Sequence, residues 1–156
     1  MSDKGEQTIL VNDILIVDDE IANLKLLAQL LGPCGYKVRP LEKPQLAIDS
    51  AISQPPALIL LDVKMPEMDG FEVCKRLKQD ERTRDVPVIF ISALHEFEDK
   101  VRGLEAGGVD FITKPFREEE VLARVRTHLK LRNMQLNLAE LVAERTVELA
   151  RSEAKY

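Results

Sequence analysis

Apolar runs and helix-period segments alternate along the whole chain. DILIV (13–17) is a strand-length apolar run, and IANLKLLAQLL (21–31) repeats its apolar positions at helical spacing until GPCG stops it. YKVRPL (36–41) predicts a weaker strand, and a helix follows from near Pro44 through PQLAIDSAIS to the Pro55-Pro56 breaker. ALILL (57–61) and VPVIFIS (86–92) predict two more strands, separated by a Gly70 turn and the helical FEVCKRLKQD. EFEDKVRGLEAG (96–107) predicts a helix closed by Gly107-Gly108, VDFIT (109–113) a last strand, and everything after Pro115 is helical in pattern.

Five strands alternating with five helices imply an α/β fold, a parallel sheet covered by helices on both faces. The continuous apolar runs at 57–61 and 88–91 belong to central strands, buried on both sides. Right-handed crossovers leave few topologies, and the doubly wound order 2-1-3-4-5, flavodoxin-like, is the common one for five units.

Composition narrows the class. The 156 residues suffice for one domain plus an appendage, and 45% hydrophobic with 31% charged residues fits a globular protein in water. No apolar run approaches the ~20 residues of a membrane span, and the N-terminal MSDKGEQTILVND has no signal-peptide core. Cys34 and Cys74 stand alone without a Cys/His cluster, predicting reduced, buried or half-buried thiols and a cytoplasmic protein. A net charge of −5 disfavours a nucleic-acid module.

In such a sheet, ligands bind beyond the carboxyl ends of the strands. Strand 1 exits into Asp18-Asp19-Glu20, strand 3 into Asp62, strand 4 into Ser92 and strand 5 into Thr113-Lys114-Pro115. Acids, a hydroxyl and a lysine thus converge on one edge from four places. Two carboxylates about 4 Å apart repel by about 4 kcal/mol at an effective dielectric near 20. Such a cluster takes up protons or holds a cation, and oxygen-only donors favour Mg²⁺ or a similar hard ion. Mg²⁺ readily shares phosphate oxygens, so the edge is suited to phosphoryl groups, with Lys114 and Ser92 beside them.

VDDE (17–20), LLDVKMPEMDG (60–70), ISA (91–93) and DFITKPF (110–116) stand in the order and spacing of a family: the chain resembles a two-component response-regulator receiver domain, CheY-like, over roughly residues 12–130. The resemblance implies that Asp62 accepts a phosphoryl group from a phosphohistidine of a sensor histidine kinase or phosphotransfer protein. It implies Mg²⁺ (or Mn²⁺) bound by Asp19 directly, Asp18 largely through water, Asp62, and the backbone carbonyl of Lys64. Lys114 would pair with the phosphoryl group ahead of a cis Lys114–Pro115 bond, and Ser92 and Phe111 would form the switch. Such a domain is a signalling switch that promotes its own phosphorylation and dephosphorylation, not an enzyme on outside substrates. The face of helix 4, strand 5 and helix 5 would change with phosphorylation and pair two copies.

Plainer roles stand beside these. Asp18 or Asp19 could cap helix 1, Asp69-Gly70 reads as turn and cap, Phe111 could be core packing and Ser92 a loop cap. His95 and His128 read as surface residues. Lys64 could reach the phosphoryl group or face solvent, and Leu94 could hinder attacking water.

Residues 1–11 are expected to be a flexible N-terminus and 131–156 a helical linker. Apolar residues at 131, 134, 138, 141/142 and 149 make a stripe interrupted by Arg145, as in a short coiled coil leading to an output domain such as a PAS, kinase, cyclase or HD-GYP module. Two other readings remain: a stand-alone phosphorelay or protein-binding receiver, and a Mg²⁺-dependent phosphohydrolase.

Overall fold

The computed structural model describes residues 12–93 and 97–154. Its strands are β1 (Asp13–Val17), β2 (Lys37–Leu41), β3 (Leu58–Asp62), β4 (Val88–Ser92) and β5 (Asp110–Thr113). Its helices are α1 (Ile21–Leu31), α2 (Pro44–Ser53), α3 (Gly70–Gln79), α4 (Phe97–Glu105) and α5 (Glu118–Ala154). The strands form one parallel sheet in the order β2-β1-β3-β4-β5. This is the doubly wound arrangement that the alternation predicts.

Every residue of β1, β3 and β4 is buried. Their side chains alternate between two cores, as the period of two requires. Leu15, Val17, Ile59, Leu61, Val88 and Phe90 pack under α2 and α3 with Ala47, Ile48, Phe71, Val73 and Leu77. Ile14, Ile16, Leu58, Leu60, Ile89 and Ile91 pack under α1 and α5 with Leu24, Leu27, Val121, Val125 and Leu129. The outer strands are less covered, and Pro40 lies in β2. An edge strand tolerates that proline because one side of its ladder is unused.

Boundaries differ from the sequence reading by one to three residues. β3 runs through Asp62 itself, whose partner in register is Ile91. β4 starts at Val88, because Pro87 has no N–H to give; its carbonyl still accepts from Ile59 N–H at 3.0 Å. α4 ends at Glu105, and Gly107 takes a φ of 109°, the left-handed conformation that closes a helix at lowest cost with glycine. Residues 1–11 and 94–96, and with them Leu94 and His95, lie outside the described residues.

Two expectations are corrected. Cys34 is exposed in the turn after α1, while Cys74 is buried on α3. His128 is not a surface residue: it is half-buried on α5, its Nε2 2.9 Å from Asp110 Oδ2. Arg124 Nη1 donates to both oxygens of the same carboxylate, at 2.9 and 2.8 Å. This ion cluster ties β5 to α5.

Helix α5 is continuous for 37 residues, about 56 Å. Its inward face is buried as far as Arg132, and beyond it the apolar residues Met134, Leu138, Leu141, Val142, Val147 and Leu149 are exposed.

Candidate functional site

The acids are placed by the strands that precede them. β1 ends its buried run at Val17, and the next residue, Asp18, is also buried. Its main-chain N–H continues the ladder to Leu41 O at 3.2 Å. One side-chain oxygen, Oδ1, accepts from Glu20 N–H at 2.9 Å; Oδ2 accepts from Asn23 Nδ2 and from Lys114 Nζ, both at 3.2 Å. Neither Asp18 nor Asp19 caps α1, whose N-cap position is Glu20. Asp19 is exposed beside them.

Asp62 closes β3 and is 5% exposed. The loop after it turns back tightly, since Gly70 N–H donates to Val63 O at 2.8 Å. A Cβ at Gly70 would overlap the Asp62 carbonyl oxygen and stand 3.0 Å from Val63 Cα. Glycine is therefore what lets α3 start against the acid-bearing strand end. Asp69 caps that helix by accepting from Glu72 N–H at 2.9 Å. Within the loop Met65 is buried, the Lys64 side chain is exposed and Glu67 has a φ of 74°.

Lys114 enters from β5. Its main-chain N–H donates to Ser92 O at 2.8 Å, and the Lys114–Pro115 peptide is cis. Nζ lies between two carboxylates, 3.1 Å from Asp62 Oδ1 and 3.2 Å from Asp18 Oδ2. Burial alone would lower the ammonium's pKa, but Asp62 and Asp18 outweigh it and hold it above the ordinary lysine range. Asp62 moves the other way. Burial foremost, then the charge of Asp18, push its carboxyl up to about 6, against the opposing pull of Lys114.

Asp18, Asp19 and Asp62 each present a carboxylate oxygen, all within 4.8 Å of one another. Three acids share one ammonium, so the cluster is under-compensated. The donors are all oxygen, the choice of a hard divalent cation. An electrostatic deficit and the donor chemistry agree that Mg²⁺ or Mn²⁺ fits here.

Four predicted residues, Asp18, Asp19, Asp62 and Lys114, are thus brought together. Ser92 is buried at the end of β4 next to them in the sheet. Phe111 is half-buried and packs on Phe90 with ring centroids 5.5 Å apart; Phe90 in turn meets Phe71 at 5.2 Å. A Cβ on Gly103 of α4 would lie 2.8 Å from the Phe111 ring, so that glycine makes room for it. Asn23, which holds both Asp18 and Glu20, was not singled out by sequence reasoning. Its position five residues after Asp18, in the first turn of α1, was the available signal. A cavity of about 370 Å³ opens beside the site, lined by Glu20, Asn23, Ala93, Lys114 and Phe116 among others.

A five-stranded doubly wound sheet with three acids and a lysine at its carboxyl edge defines the receiver class of signalling domains. The model of the response regulator receiver domain family matches residues 14–126, and the chain belongs to that family. It is 44% identical over 123 residues to the DNA-binding dual master transcriptional regulator RpaA of Synechocystis sp., covering 75% of this chain and 48% of that protein. It is 42% identical over 144 residues to the response regulator PleD of Caulobacter vibrioides, covering 91% of this chain and 32% of that protein. The chain thus spans about a third to a half of the length of these relatives. Among solved structures, a CheY-like receiver domain protein of Methanospirillum hungatei matches with a TM-score of 0.75 at 26% identity, covering 80% of this chain and 98% of that one. The signal receiver domain of a histidine kinase from Syntrophus aciditrophicus matches at 0.71 and 36% identity, covering 76% and 90%. No helix among the described residues is long and apolar enough to cross a membrane.

Proposed function

We propose that the protein is a phospho-accepting switch in which Asp62 takes a phosphoryl group from a phosphohistidine of a sensor kinase or phosphotransfer protein, in the cytoplasm. The observation that carries this reading is the Asp62 carboxylate, buried at a strand end, paired with Lys114 at 3.1 Å and flanked by two further acids. The Asp62 oxygen attacks phosphorus in line with the histidine nitrogen. The P–N bond breaks, the imidazole leaves with a proton, and the new P–O bond makes an acyl phosphate that water later hydrolyses. Lys114 is the cation poised to follow the phosphoryl oxygens, and Ser92 at the next strand end is the hydroxyl that would hydrogen-bond to one of them. A divalent ion held by Asp18, Asp19, Asp62 and the Lys64 carbonyl would supply neutralising charge on those oxygens.

Movement of Ser92 toward the phosphoryl group would free space for Phe111, whose ring touches β4 and α4 together. That would bias the α4-β5-α5 face between two arrangements. We assign residues 12–130 to the receiver and 131–156 to a connector toward an output domain. The 144-residue match to PleD supports this, because it extends past the 113 residues (14–126) of the family match and so takes in part of the connector. The exposed stripe of Leu131, Met134, Leu138 and Leu141 follows a three-four spacing, which supports pairing of two copies along α5.

Incubation with Mg²⁺ and acetyl phosphate, followed by intact mass spectrometry, tests the assignment. One hydroxylamine-labile phosphoryl group is expected, absent in Asp62→Asn. Repeated turnover of unrelated phosphoesters without an adduct on the protein would instead make it a phosphohydrolase.

A further inference from the structure

At the opposite end of the sheet from the acids lies a cavity of about 330 Å³ that none of this chemistry uses. It is bordered by Lys78 from α3, Arg84 and Asp85 from the α3–β4 loop, and His128, Arg132 and Gln135 from α5. Arg132 is 9% exposed, and its Nε is buried without a hydrogen-bond partner. A buried guanidinium is ordinarily paired, because desolvating the charge is costly. Here burial holds its pKa below the ordinary arginine range, with Asp85 the opposing influence; no ion pair joins Asp85 to it among the described residues.

Lys78 is fixed nearby. Its Nζ donates to Arg84 O at 2.9 Å and Val86 O at 2.6 Å, leaving one of three donors uncommitted by these bonds. Its stem is hemmed in by Gly107, where an added Cβ would stand 2.7 Å from Lys78 Cγ. Three cations (Lys78, Arg84, Arg132) against one carboxylate (Asp85) leave two positive charges around the cavity. His128 on the same border is engaged with Asp110, its Nε2 2.9 Å from Asp110 Oδ2.

We propose that this cavity binds a dianionic phosphoryl group, either free phosphate or the phosphate of a small phosphomonoester, between Arg132, Arg84 and Lys78. Planar guanidinium forks suit phosphate oxygens, and a dianion matches the charge surplus. The position gives the site a consequence. Arg132 is the last buried residue of α5, at the point where the apolar stripe from Leu131 onward emerges. A phosphate joining it to the Arg84 loop fixes the helix at the point where it leaves the domain, and so sets how rigidly movement of the receiver reaches the connector.

The test is a ¹⁵N–¹H correlation titration in EDTA, so that the acidic edge holds no metal, with inorganic phosphate compared with chloride at matched ionic strength. Saturable shifts are expected for Arg84 to Val86 and for Leu131 and Arg132, with half-saturation on the order of 1 mM. Arg132→Gln should weaken this about tenfold. Arg84→Gln, which changes an exposed loop side chain and leaves the main-chain bond from Lys78 in place, should do the same. Adenosine monophosphate as a second probe separates the sources: tighter saturation with added shifts at Gln135 identifies a phosphomonoester, and equal saturation identifies phosphate. Shifts that stay linear, that chloride reproduces, or that survive unchanged in Arg84→Gln overturn the proposal.

Discussion

Replacing Gly70 with alanine sets two effects against each other, and the structure decides which wins. As a helical residue, alanine is favoured over glycine by up to about 1 kcal/mol. Against that, the new Cβ overlaps the Asp62 carbonyl oxygen and stands 3.0 Å from both Asp62 C and Val63 Cα, all of them backbone atoms that cannot rotate away. Overpacking of this kind costs about 1–3 kcal/mol. Moving the helix start also weakens the 2.8 Å bond from Gly70 N–H to Val63 O, worth about 0.5–1.5 kcal/mol. The clash wins, and a net loss of about 1–3 kcal/mol is expected in urea unfolding at unchanged m-value. The same displacement moves the loop beside Asp62, and a 1 Å misplacement of a reacting group can cost about a hundredfold in rate. Phosphorylation by acetyl phosphate should therefore slow by at least about tenfold even at temperatures where the variant is fully folded. A Gly70→Ala protein as stable as the parent and phosphorylated at the parent rate would refute the close-approach argument for both fold and site.

Four further outcomes can be checked. Ellman's reagent under native conditions should titrate Cys34 at once and Cys74 only on unfolding, since Cys74 is buried and burial pushes its thiol up to about 11. For Asp110, burial alone would raise the pKa, but the bonds from His128, Phe111 N–H and Arg124 overcome it and hold the carboxyl below its ordinary value of 3.8. Its stabilisation is complete above that value and lost as pH falls through the lower folded one, so in urea melts Asp110→Asn should cost stability at pH 7 and lose less than the parent below about pH 4. Asp62 has the opposite sign: its carboxyl, raised from 3.8 to about 6, opposes folding above that range and not below 3.8, so Asp62→Asn should gain about 1–3 kcal/mol at pH 7 in EDTA, with Mg²⁺ narrowing the gap by stabilising only the parent. Light scattering should show a dimer for the full chain and a monomer after deletion of residues 133–156, and equal masses would remove α5 as the pairing element.

The sheet and its acid edge were legible because both depend on short-range signals. A buried parallel strand needs an unbroken apolar run, and the residue that ends the run marks the ligand edge; DILIV-Asp18 and LILL-Asp62 announce themselves without any tertiary information. What stayed hidden depends on contacts between elements distant in sequence. His128 looks like any polar residue on a helix until α5 is laid on β5 and Asp110 meets it, 18 residues away in the chain. Arg132 likewise sits among charges in the sequence, yet α5's inward face carries it under cover. Gly70 was read as turn chemistry, correctly as far as the Asp69 cap, but only the packed loop shows that its missing side chain is filled by the Asp62 main chain. Cys34 erred in the other direction, because the turn after α1 lifts it off the core that its residue type favours.

The electrostatics explain why one residue is the candidate nucleophile when three acids share the edge. Asp18 is buried, but Glu20 N–H, Asn23 and Lys114 all donate to its oxygens, so its lone pairs are engaged in holding the loop that starts α1. Asp19 is exposed, and water competes with protein groups for its charge. Asp62 is the acid whose carboxyl is pushed up to about 6, and Lys114 is the side chain that bonds it. A carboxylate of raised basicity, with a cation alongside, gains more from bonding to phosphorus than its neighbours do. In the proposed phosphotransfer, the deficit that makes the edge costly to fold would thereby be the property that makes Asp62 reactive. In the proposed switch, filling that edge with a divalent ion and a phosphoryl group would relieve the cost at the ends of two adjacent strands, β1 and β3. With Ser92 and Phe111 on the next two strands outward, that relief would be a physical source of work for moving the α4-β5-α5 face.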